Sequence, residues 1–240
     1  MQRIVHTKNR MRPAINFALV VTIVMWVIHS SAQLFGYDQH MFGIRPHQFD
    51  GLLGIVTATL VHGSYEHLFN NTLAILILLS MLWYGYPNSR LKVLITIWLL
   101  SGAGVWLFAR EATHLGASGL THGIFFFLFT VSIFRRDKRS VALMMIAFFM
   151  YGGMFMTIFP RDPEISYEYH FFGGIAGIIA AFVWHSADPK LVEPRYDWEI
   201  EDYLQETDGD DKIGDAWQIE EPKSDIPQGE DEASKPTVDR

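Results

Sequence analysis

The sequence of 240 residues contains no cysteine. This absence excludes disulfide bonds, thiolate metal sites and cysteine nucleophiles. Charge is scarce and uneven, because residues 1–186 carry 13 Lys and Arg against 8 Asp and Glu, whereas residues 187–240 carry 6 against 18. That split, together with the long uncharged stretches of the first part, excludes a simple soluble globular protein. The excess positive charge is not clustered as on a nucleic-acid-binding surface, so no nucleic-acid partner is expected.

Six mostly apolar stretches contain no Asp, Glu, Lys or Arg. They are residues 14–37, 68–89, 93–109, 115–134, 141–160 and 171–186, and Tyr167 and Tyr169 can extend the last one. A helix needs about 20 apolar residues to cross a bilayer, and a charge at its centre costs about 2.5–3.5 kcal/mol. The sequence therefore predicts an all-α membrane protein with six transmembrane helices.

Three regions follow from this pattern. Residues 1–13 form a short basic N-terminus, residues 14–186 a six-helix membrane domain, and residues 187–240 an acidic tail. High charge with little apolar content predicts that this tail is disordered. A solvated tail that aids solubility is its simplest interpretation.

The distribution of Lys and Arg predicts the orientation. Ten of them precede the first span or lie in the loops after the second and fourth spans, against three in the alternate loops. Cytoplasmic loops carry the excess of Lys and Arg, so both termini are expected in the cytoplasm. The compact six-span form indicates an integral multi-pass protein of a bacterial inner membrane.

The first outer connection, residues 38–66, contains an apolar run over residues 52–61. Ten residues are too few to cross, which predicts an interfacial or re-entrant element that dips into the membrane. Irregular backbone survives at membrane depth only where protein or a water-filled cavity covers it. A cavity open to the outer side is therefore expected.

Three groups of polar and small residues lie at the predicted outer side. They are His62, His67 and Asn71 before and in the second span, Gly116, Ser118 and Gly119 at the start of the fourth, and His170, Gly173 and Gly177 at the start of the sixth. Polar side chains in membrane spans face the bundle interior and are usually functional. One cavity could hold all three groups.

The chemistry of these groups is complementary. A serine hydroxyl becomes a nucleophile when a neighbouring base takes its proton, and His170 is the candidate base for Ser118. Gly173 and Gly177 lie near the face of His170, and small residues let membrane helices approach closely. Gly119 and Gly123 form a matching pair on the fourth span.

A candidate oxyanion hole lies beside the serine. The backbone N–H of Ser118 is at a helix N-terminus, where unsatisfied donors attract negative charge. Asn71 adds a neutral donor and His67 a second one, since residues four apart share a helix face. Each such donor is worth about 10²–10³ in rate.

Each group has a structural explanation when it is taken alone. A serine at a helix start commonly caps the helix, and glycines commonly pack helices. A membrane histidine is often a satisfied bundle residue, and Asn71 alone would be an interhelical hydrogen-bonding residue. The joint placement of the three groups at one membrane face favours the catalytic interpretation.

With these residues the sequence resembles the rhomboid family of intramembrane serine proteases. The resemblance spans residues 14–186 and rests on three patterns. These are His-x4-His-x3-Asn from His62 to Asn71, Gly-x-Ser-Gly from Gly116 to Gly119, and His-x2-Gly-x3-Gly from His170 to Gly177. Six spans is also the basic number of the family.

The resemblance implies a function and a role for each residue. Ser118 would be the nucleophile and His170 the general base, while His67, Asn71 and the Ser118 amide would hold the oxyanion. His62 would support that loop. The resemblance implies transmembrane proteins in the lipid bilayer as substrates, cleaved near the outer face through an acyl-enzyme. No cofactor or metal is expected.

The sequence departs from the family at two places. Many rhomboids carry an aromatic residue four positions after the serine, where this chain has His122. A second imidazole could still stack on His170, but in its protonated form it would disfavour a charged His170. The Trp-Arg pair common in the first outer loop is missing, and Arg45-Pro46 is only a loose counterpart.

Three other functions stay open. A non-catalytic rhomboid-like binder or escort of membrane proteins is disfavoured because such a protein need not keep either Ser118 or His170, and this chain has both. A transporter with a histidine proton relay is disfavoured because paired intramembrane carboxylates and an inverted repeat are missing. A zinc protease is disfavoured because the sequence has no His-Glu-x-x-His motif. The five-residue spacing of His62 and His67 would also turn them about 140° apart on a regular helix.

Overall fold

The computed structural model describes residues 11–160 and 166–190, and within them the chain forms helices and no strands. The six longest helices are α1 (Met11–Phe35), α2 (Tyr65–Gly85), α3 (Arg90–Phe108), α4 (Ser118–Arg135), α5 (Lys138–Tyr151) and α6 (Tyr167–Trp184). The prediction of an all-helical chain is confirmed over these ranges. The first ten residues lie outside the described residues. So does the tail beyond residue 190, for which the sequence predicts disorder.

Four of the six helices could cross a membrane by their length and composition. These are α1, α2, α3 and α4. Helix α5 has 14 residues, and α6 has 18 but opens with Tyr-Glu-Tyr-His. Six spans therefore stay a prediction.

The predicted fifth span, residues 141–160, is divided. Gly152 and Gly153 follow α5, and a separate turn of helix, Met154–Thr157, comes next.

The first outer connection is a series of short helical turns rather than an open loop. Its apolar part, Phe49–Leu60, packs on α3, where Trp98 donates from Nε1 to the carbonyl of Val56 at 3.1 Å. Ile44 and His114 exchange two backbone hydrogen bonds of 2.8 and 2.9 Å, which join this connection to the segment before α4. The depth of the connection in a bilayer stays a prediction.

Helix α4 lies at the centre of the bundle, since every residue from Ser118 to Leu128 is buried. It packs closely on α6. A Cβ atom added to Gly173 would strike the carbonyl oxygen of Gly119, and one added to Gly177 would strike that of Gly123. The two backbones are thus in direct contact, which small residues in membrane helices permit. This contact sets the start of α4 beside the start of α6.

At the opposite end of the bundle, a buried polar cluster joins three chain segments. Arg135 pairs with Asp137 at 2.9 Å and donates to the carbonyls of His185 and Asp188 at 2.8 and 2.7 Å. The carboxylate of Asp188 accepts from the backbone N–H and the hydroxyl of Ser89, just before α3. Because every charge in this cluster has partners, its burial is compensated.

Asp137 caps the start of α5, and we expect Asp137→Asn to lower the melting temperature at pH 7 by roughly 2–6 °C. The Asp137 carboxylate accepts from the backbone N–H and the hydroxyl of Ser140. Burial alone would raise its pKa, but these hydrogen bonds and the Arg135 guanidinium outweigh burial and hold the pKa below its usual value. Hydrogen bonds to a charged group contribute about 1.5–3 kcal/mol each.

The effect of Asp137→Asn should depend on pH. A carboxyl whose pKa is lower in the folded state stabilises the fold above the unfolded-state pKa, and this contribution is lost as the pH falls through the folded-state pKa. The two melting temperatures should therefore converge under acid conditions. Asp50→Asn is the matched control, because Asp50 is 62% exposed and its pair with Arg45 is on the surface. A pH-independent difference for Asp137→Asn would contradict the electrostatic explanation.

Candidate active site

A cavity of about 680 Å³ opens at the end of the bundle where α2, α4 and α6 begin. Its lining includes His67, Asn71, Ser118, His122 and His170. The structure thus brings together polar groups from all three predicted sets. His62 lies behind this wall and is fully buried.

Ser118 is the first residue of α4, and its surroundings fix how the helix starts. No side chain caps α4. The backbone N–H of Ala117 instead donates to Nε2 of His62 at 3.3 Å, and that of Gly116 donates to the carbonyl of Ala58 at 2.8 Å. The N–H groups of the first helical turn, Ser118 among them, have no acceptor within the helix. These donors are therefore available beside the serine hydroxyl.

His62 supports the start of α4 as a neutral imidazole. Burial, with smaller effects of His67 and His29, lowers the pKa of His62 to about 3. A neutral ring is required here because Nε2 accepts a hydrogen bond from the Ala117 N–H, and only an unprotonated nitrogen can accept. The predicted supporting position of His62 thus corresponds to a contact with the residue before Ser118.

His170 lies one turn into α6 and is held on one side by a backbone carbonyl. Ser166 caps this helix by accepting from the backbone N–H of Tyr169. Nδ1 of His170 is 3.0 Å from the carbonyl oxygen of Thr157. A carbonyl oxygen only accepts, so Nδ1 carries the proton and Nε2 of the neutral ring is unprotonated. Within the described residues, the Ser118 hydroxyl and the His170 ring share no hydrogen bond in this arrangement.

His122 stacks on His170, with ring centroids 4.0 Å apart and planes inclined by 8°. Its Nδ1 lies 2.7 Å from the carbonyl oxygen of Ser118, and its Nε2 lies 2.8 Å from Oγ1 of Thr157. His122 therefore occupies the stacking position expected from the sequence. It also links the first residue of α4 to the turn that holds His170.

The opposite wall of the cavity carries the candidate oxyanion donors. Asn71 donates one amide hydrogen to the carbonyl of His67 at 2.9 Å, which leaves its second amide hydrogen for a ligand. Ser64 fixes the first turn of α2 by accepting from the backbone N–H of His67 at 3.1 Å. Both side chains thus come from one rigid turn.

Gly116 leaves the space that the His67 ring fills. Its φ is +109°, and an added Cβ would lie 2.6 and 2.7 Å from Cε1 and Nε2 of His67. Gly119 and Gly173 are in the α4–α6 contact described above. All the small residues predicted for the site therefore lie where two chain segments meet closely.

If these residues are catalytic, as the sequence predicts, Gly116→Ala should lower the reaction rate by about 10²-fold, because the new methyl group displaces His67 from the cavity wall. Cleavage of a membrane-protein substrate, the activity expected from the sequence, and melting temperature should be measured together. Gly36→Ala is the matched control, since Gly36 also has a positive φ, +73°, but has nothing within 4 Å of an added Cβ. Equal losses of rate in both variants would mean that backbone strain, not the position of His67, is responsible.

Three residues that position the site are not predicted from the sequence. Thr157 contacts both stacked imidazoles. His114 donates from Nε2 to the carbonyl of Arg110, so its Nδ1 accepts from the hydroxyl of Ser166 at 2.6 Å. A serine before Tyr-Glu-Tyr is a recognisable helix N-cap, so Ser166 could have been found. Thr157 and His114 have no local signal, because their partners are distant in sequence.

Among the described residues, no group of three or more His, Cys, Asp or Glu side chains is arranged to hold a metal ion. The ionisable groups of the cavity wall are mainly imidazoles, joined by hydroxyl and amide groups. Such a set offers proton acceptors and neutral hydrogen-bond donors around one serine. Acyl transfer requires groups of these two kinds beside a nucleophile.

Comparisons with known proteins identify a domain family and several relatives. A sequence profile of the Rhomboid domain matches residues 50–187. An uncharacterized protein of Mycobacterium tuberculosis is 29% identical over 195 residues, which cover 77% of this chain and 81% of that protein. An uncharacterized protein of Mycobacterium bovis matches equally. A third, from Mycobacterium leprae, is 26% identical over 195 residues, covering 77% of each chain. The domain match includes every candidate residue of the cavity.

Proposed function

The chain belongs to the rhomboid family, and on that premise we propose that it is an intramembrane serine endopeptidase with Ser118 as nucleophile and His170 as general base. The family and the four long apolar helices make it an integral membrane protein. The observation that carries the proposal is one cavity lined by the serine, the candidate base and two candidate oxyanion donors.

The proposed reaction begins with attack of the Ser118 hydroxyl on the scissile carbonyl. Nε2 of His170 accepts the serine proton, since its Nδ1–H is engaged with Thr157. The negative charge on the tetrahedral oxygen is stabilised by the Ser118 N–H, Asn71 and His67. Donors already oriented toward developing charge lower the barrier most.

Collapse of the intermediate breaks the peptide bond. His170 returns its proton to the leaving amine, which departs with the C-terminal fragment, and the acyl group stays on Ser118 as an ester. Water then attacks the ester while His170 again accepts and returns a proton, which regenerates the hydroxyl. The cavity, which is open at this end of the bundle, gives water access to the reacting atoms.

The substrates in this proposal are transmembrane proteins, cut near the outer end of their spans. The placement follows from orientation: both termini in the cytoplasm of a bacterial inner membrane put the starts of α2, α4 and α6 at the outer side. A substrate helix would reach the cavity laterally from the lipid bilayer. No cofactor is required by the reaction.

Trapping of the serine tests the proposal directly. The purified full chain in detergent is treated with a fluorophosphonate probe and, separately, incubated with a labelled single-span protein in liposomes. We expect cleavage near the outer end of the span and a single modified peptide that contains Ser118. A folded protein that neither takes up the probe nor cleaves, beside an active serine hydrolase in the same detergent, would favour a non-catalytic binder of membrane proteins.

A further inference from the structure

Two consecutive residues of the first outer connection contact the segments that begin α4 and α6. They belong to the short turn Ala58–Leu60. The carbonyl of Ala58 accepts from the backbone N–H of Gly116 at 2.8 Å, two residues before α4 begins. The hydroxyl oxygen of Thr59 lies 3.0 Å from that of Tyr169, in the first turn of α6. One turn of the connection thus contacts the segment that carries the serine and the segment that carries its candidate base.

The Tyr169 side chain is fully buried between these segments. A Cβ atom added to Gly119 would strike the tyrosine ring, so the ring packs directly on the residue that follows Ser118. Around the ring lies a small apolar core shared by the first outer connection, the end of α3 and α6. Its members are Ile44, Ala58, Val105, Ala109 and Tyr169. A phenylalanine would fill this core equally well, so packing does not explain the Tyr169 hydroxyl.

The hydroxyl groups of Thr59 and Tyr169 are both shielded from solvent, since the two residues are 2% and 0% exposed. Burial of an unpaired hydroxyl is costly, so each group depends on its protein partners. The Ser101 hydroxyl on α3 also contacts that of Tyr169, and it donates to the carbonyl of Trp98 at 3.1 Å. Either hydroxyl of the Thr59–Tyr169 pair can be the donor. Removal of either oxygen breaks the contact, so its effect does not depend on that direction.

We propose that Thr59 and Tyr169 are positioning residues, whose paired hydroxyls hold the first turn of α6 so that His170 can reach Ser118. The proposal rests on the proposed function. As the structure describes these residues, the Ser118 hydroxyl and the His170 ring share no hydrogen bond. Catalytic hydrogen bonds often shorten only when substrate binds, so the position of each partner must be set by its supports.

The hydroxyl pair and the glycine contact of α4 with α6 have different effects. The contact of Gly173 with Gly119 limits how closely the two helices approach. It lies one turn further along α6 than His170, so it leaves the first turn free to tilt. The bond from Tyr169 to Thr59 ties that first turn to the same short turn that holds Gly116. The position of the candidate base is thereby coupled to the segment before the serine.

Tyr169→Phe tests the proposal because it keeps the ring against Gly119 and removes only the hydroxyl. We expect kcat to fall about 10-fold, less than the 10²-fold that a displacement of about 1 Å can cost, because the glycine contact remains. Neither Tyr169 nor Thr59 lines the cavity, so KM should change less than about twofold. Tyr86→Phe is the matched control, since Tyr86 is also buried but follows α2 at the opposite end of the bundle. It should leave kcat unchanged.

Substitutions of Thr59 separate the hydroxyl contact from a general loss of structure. Thr59→Val removes the other hydroxyl and should lower kcat as much as Tyr169→Phe, whereas Thr59→Ser retains it and should keep most of the wild-type kcat. The double variant Thr59→Val with Tyr169→Phe should be no slower than the slower single variant, because both changes break one contact. Losses that multiply, or a raised KM with unchanged kcat, would overturn the proposal. Melting temperatures show that each variant is folded.

Hydrogen exchange gives a second readout that does not depend on activity. In the purified full chain in detergent, backbone amides of residues 166–172 should exchange faster in Tyr169→Phe than in the wild type, and at the wild-type rate in Tyr86→Phe. Equal exchange in Tyr169→Phe and the wild type would overturn the proposal. An active protein whose kcat is unaffected by Tyr169→Phe would contradict the positioning role alone. A wild-type protein that neither cleaves nor takes up the fluorophosphonate probe would contradict the proposed function, and this proposal with it.

Discussion

Ser118→Ala should lower the rate of substrate cleavage by about 10⁴–10⁶-fold and abolish modification by the fluorophosphonate probe. The substitution removes the attacking oxygen and nothing else of chemical consequence. The backbone N–H of residue 118 stays at the start of α4, so any residual rate would come from the oxyanion donors and substrate binding. Because the alanine methyl group occupies less space than the hydroxymethyl group, the melting temperature should be almost unchanged.

His170→Ala should cause a loss of similar size, and the double variant should be no slower than either single variant. A nucleophile and its base act as one unit, so removal of either one already disables both. His185→Ala is the matched control, since His185 follows the end of the same helix, far from the cavity. Multiplicative losses in the double variant would mean that His170 does not serve Ser118.

The residues of the cavity could be predicted because short sequence patterns place them. His67 and Asn71 are four residues apart, and α2 indeed presents both to one cavity. Glycines at matching spacings predict the close contact of α4 with α6, and an added Cβ on Gly173 would strike Gly119. The resemblance to the rhomboid family is confirmed by the domain match. The catalytic roles stay a proposal, because they require a measured reaction.

Other features could not be predicted, because they depend on partners far away in the chain. Thr157 contacts His122 across 35 residues, and Asp188 contacts Ser89 across 99. Neither residue has a local pattern that distinguishes it from an ordinary loop residue. The end of α5 at Tyr151 was also missed, since composition treats Gly152 and Gly153 as part of an uncharged stretch. Two consecutive glycines cost about 2 kcal/mol relative to alanine in a helix, which favours a break there.

Gly173→Ala and Gly177→Ala should each destabilise the bundle, but Gly173→Ala should lose far more activity. The new Cβ of residue 173 would lie 2.9 and 3.0 Å from backbone atoms of Gly119, besides striking its carbonyl oxygen, and that of residue 177 would similarly strike the backbone of Gly123. Backbone cannot rotate away, so α4 and α6 must separate, at a cost of about 1–3 kcal/mol for overpacking.

The difference between the two variants follows from distance to the reacting groups. Gly173 is one turn from His170 and contacts the residue after Ser118, so separation there moves Ser118 away from His170. A displacement of about 1 Å can cost about 10²-fold in rate. Gly177 lies two turns away, so its variant should keep most of the rate after correction for the folded fraction. Cleavage rates and melting temperatures of both variants should be measured at a temperature where each is folded.

Gly174→Ala is the matched control for these two variants, because it adds the same methyl group to the same helix. Its Cβ would lie 3.1 and 3.2 Å from ring atoms of Phe126. A side chain can shift by a few tenths of an ångström where a backbone cannot, so both stability and rate should change little. If Gly174→Ala loses as much rate as Gly173→Ala, then added volume anywhere on α6 is harmful. The direct contact of the α4 and α6 backbones would then not be what sets Ser118 beside His170.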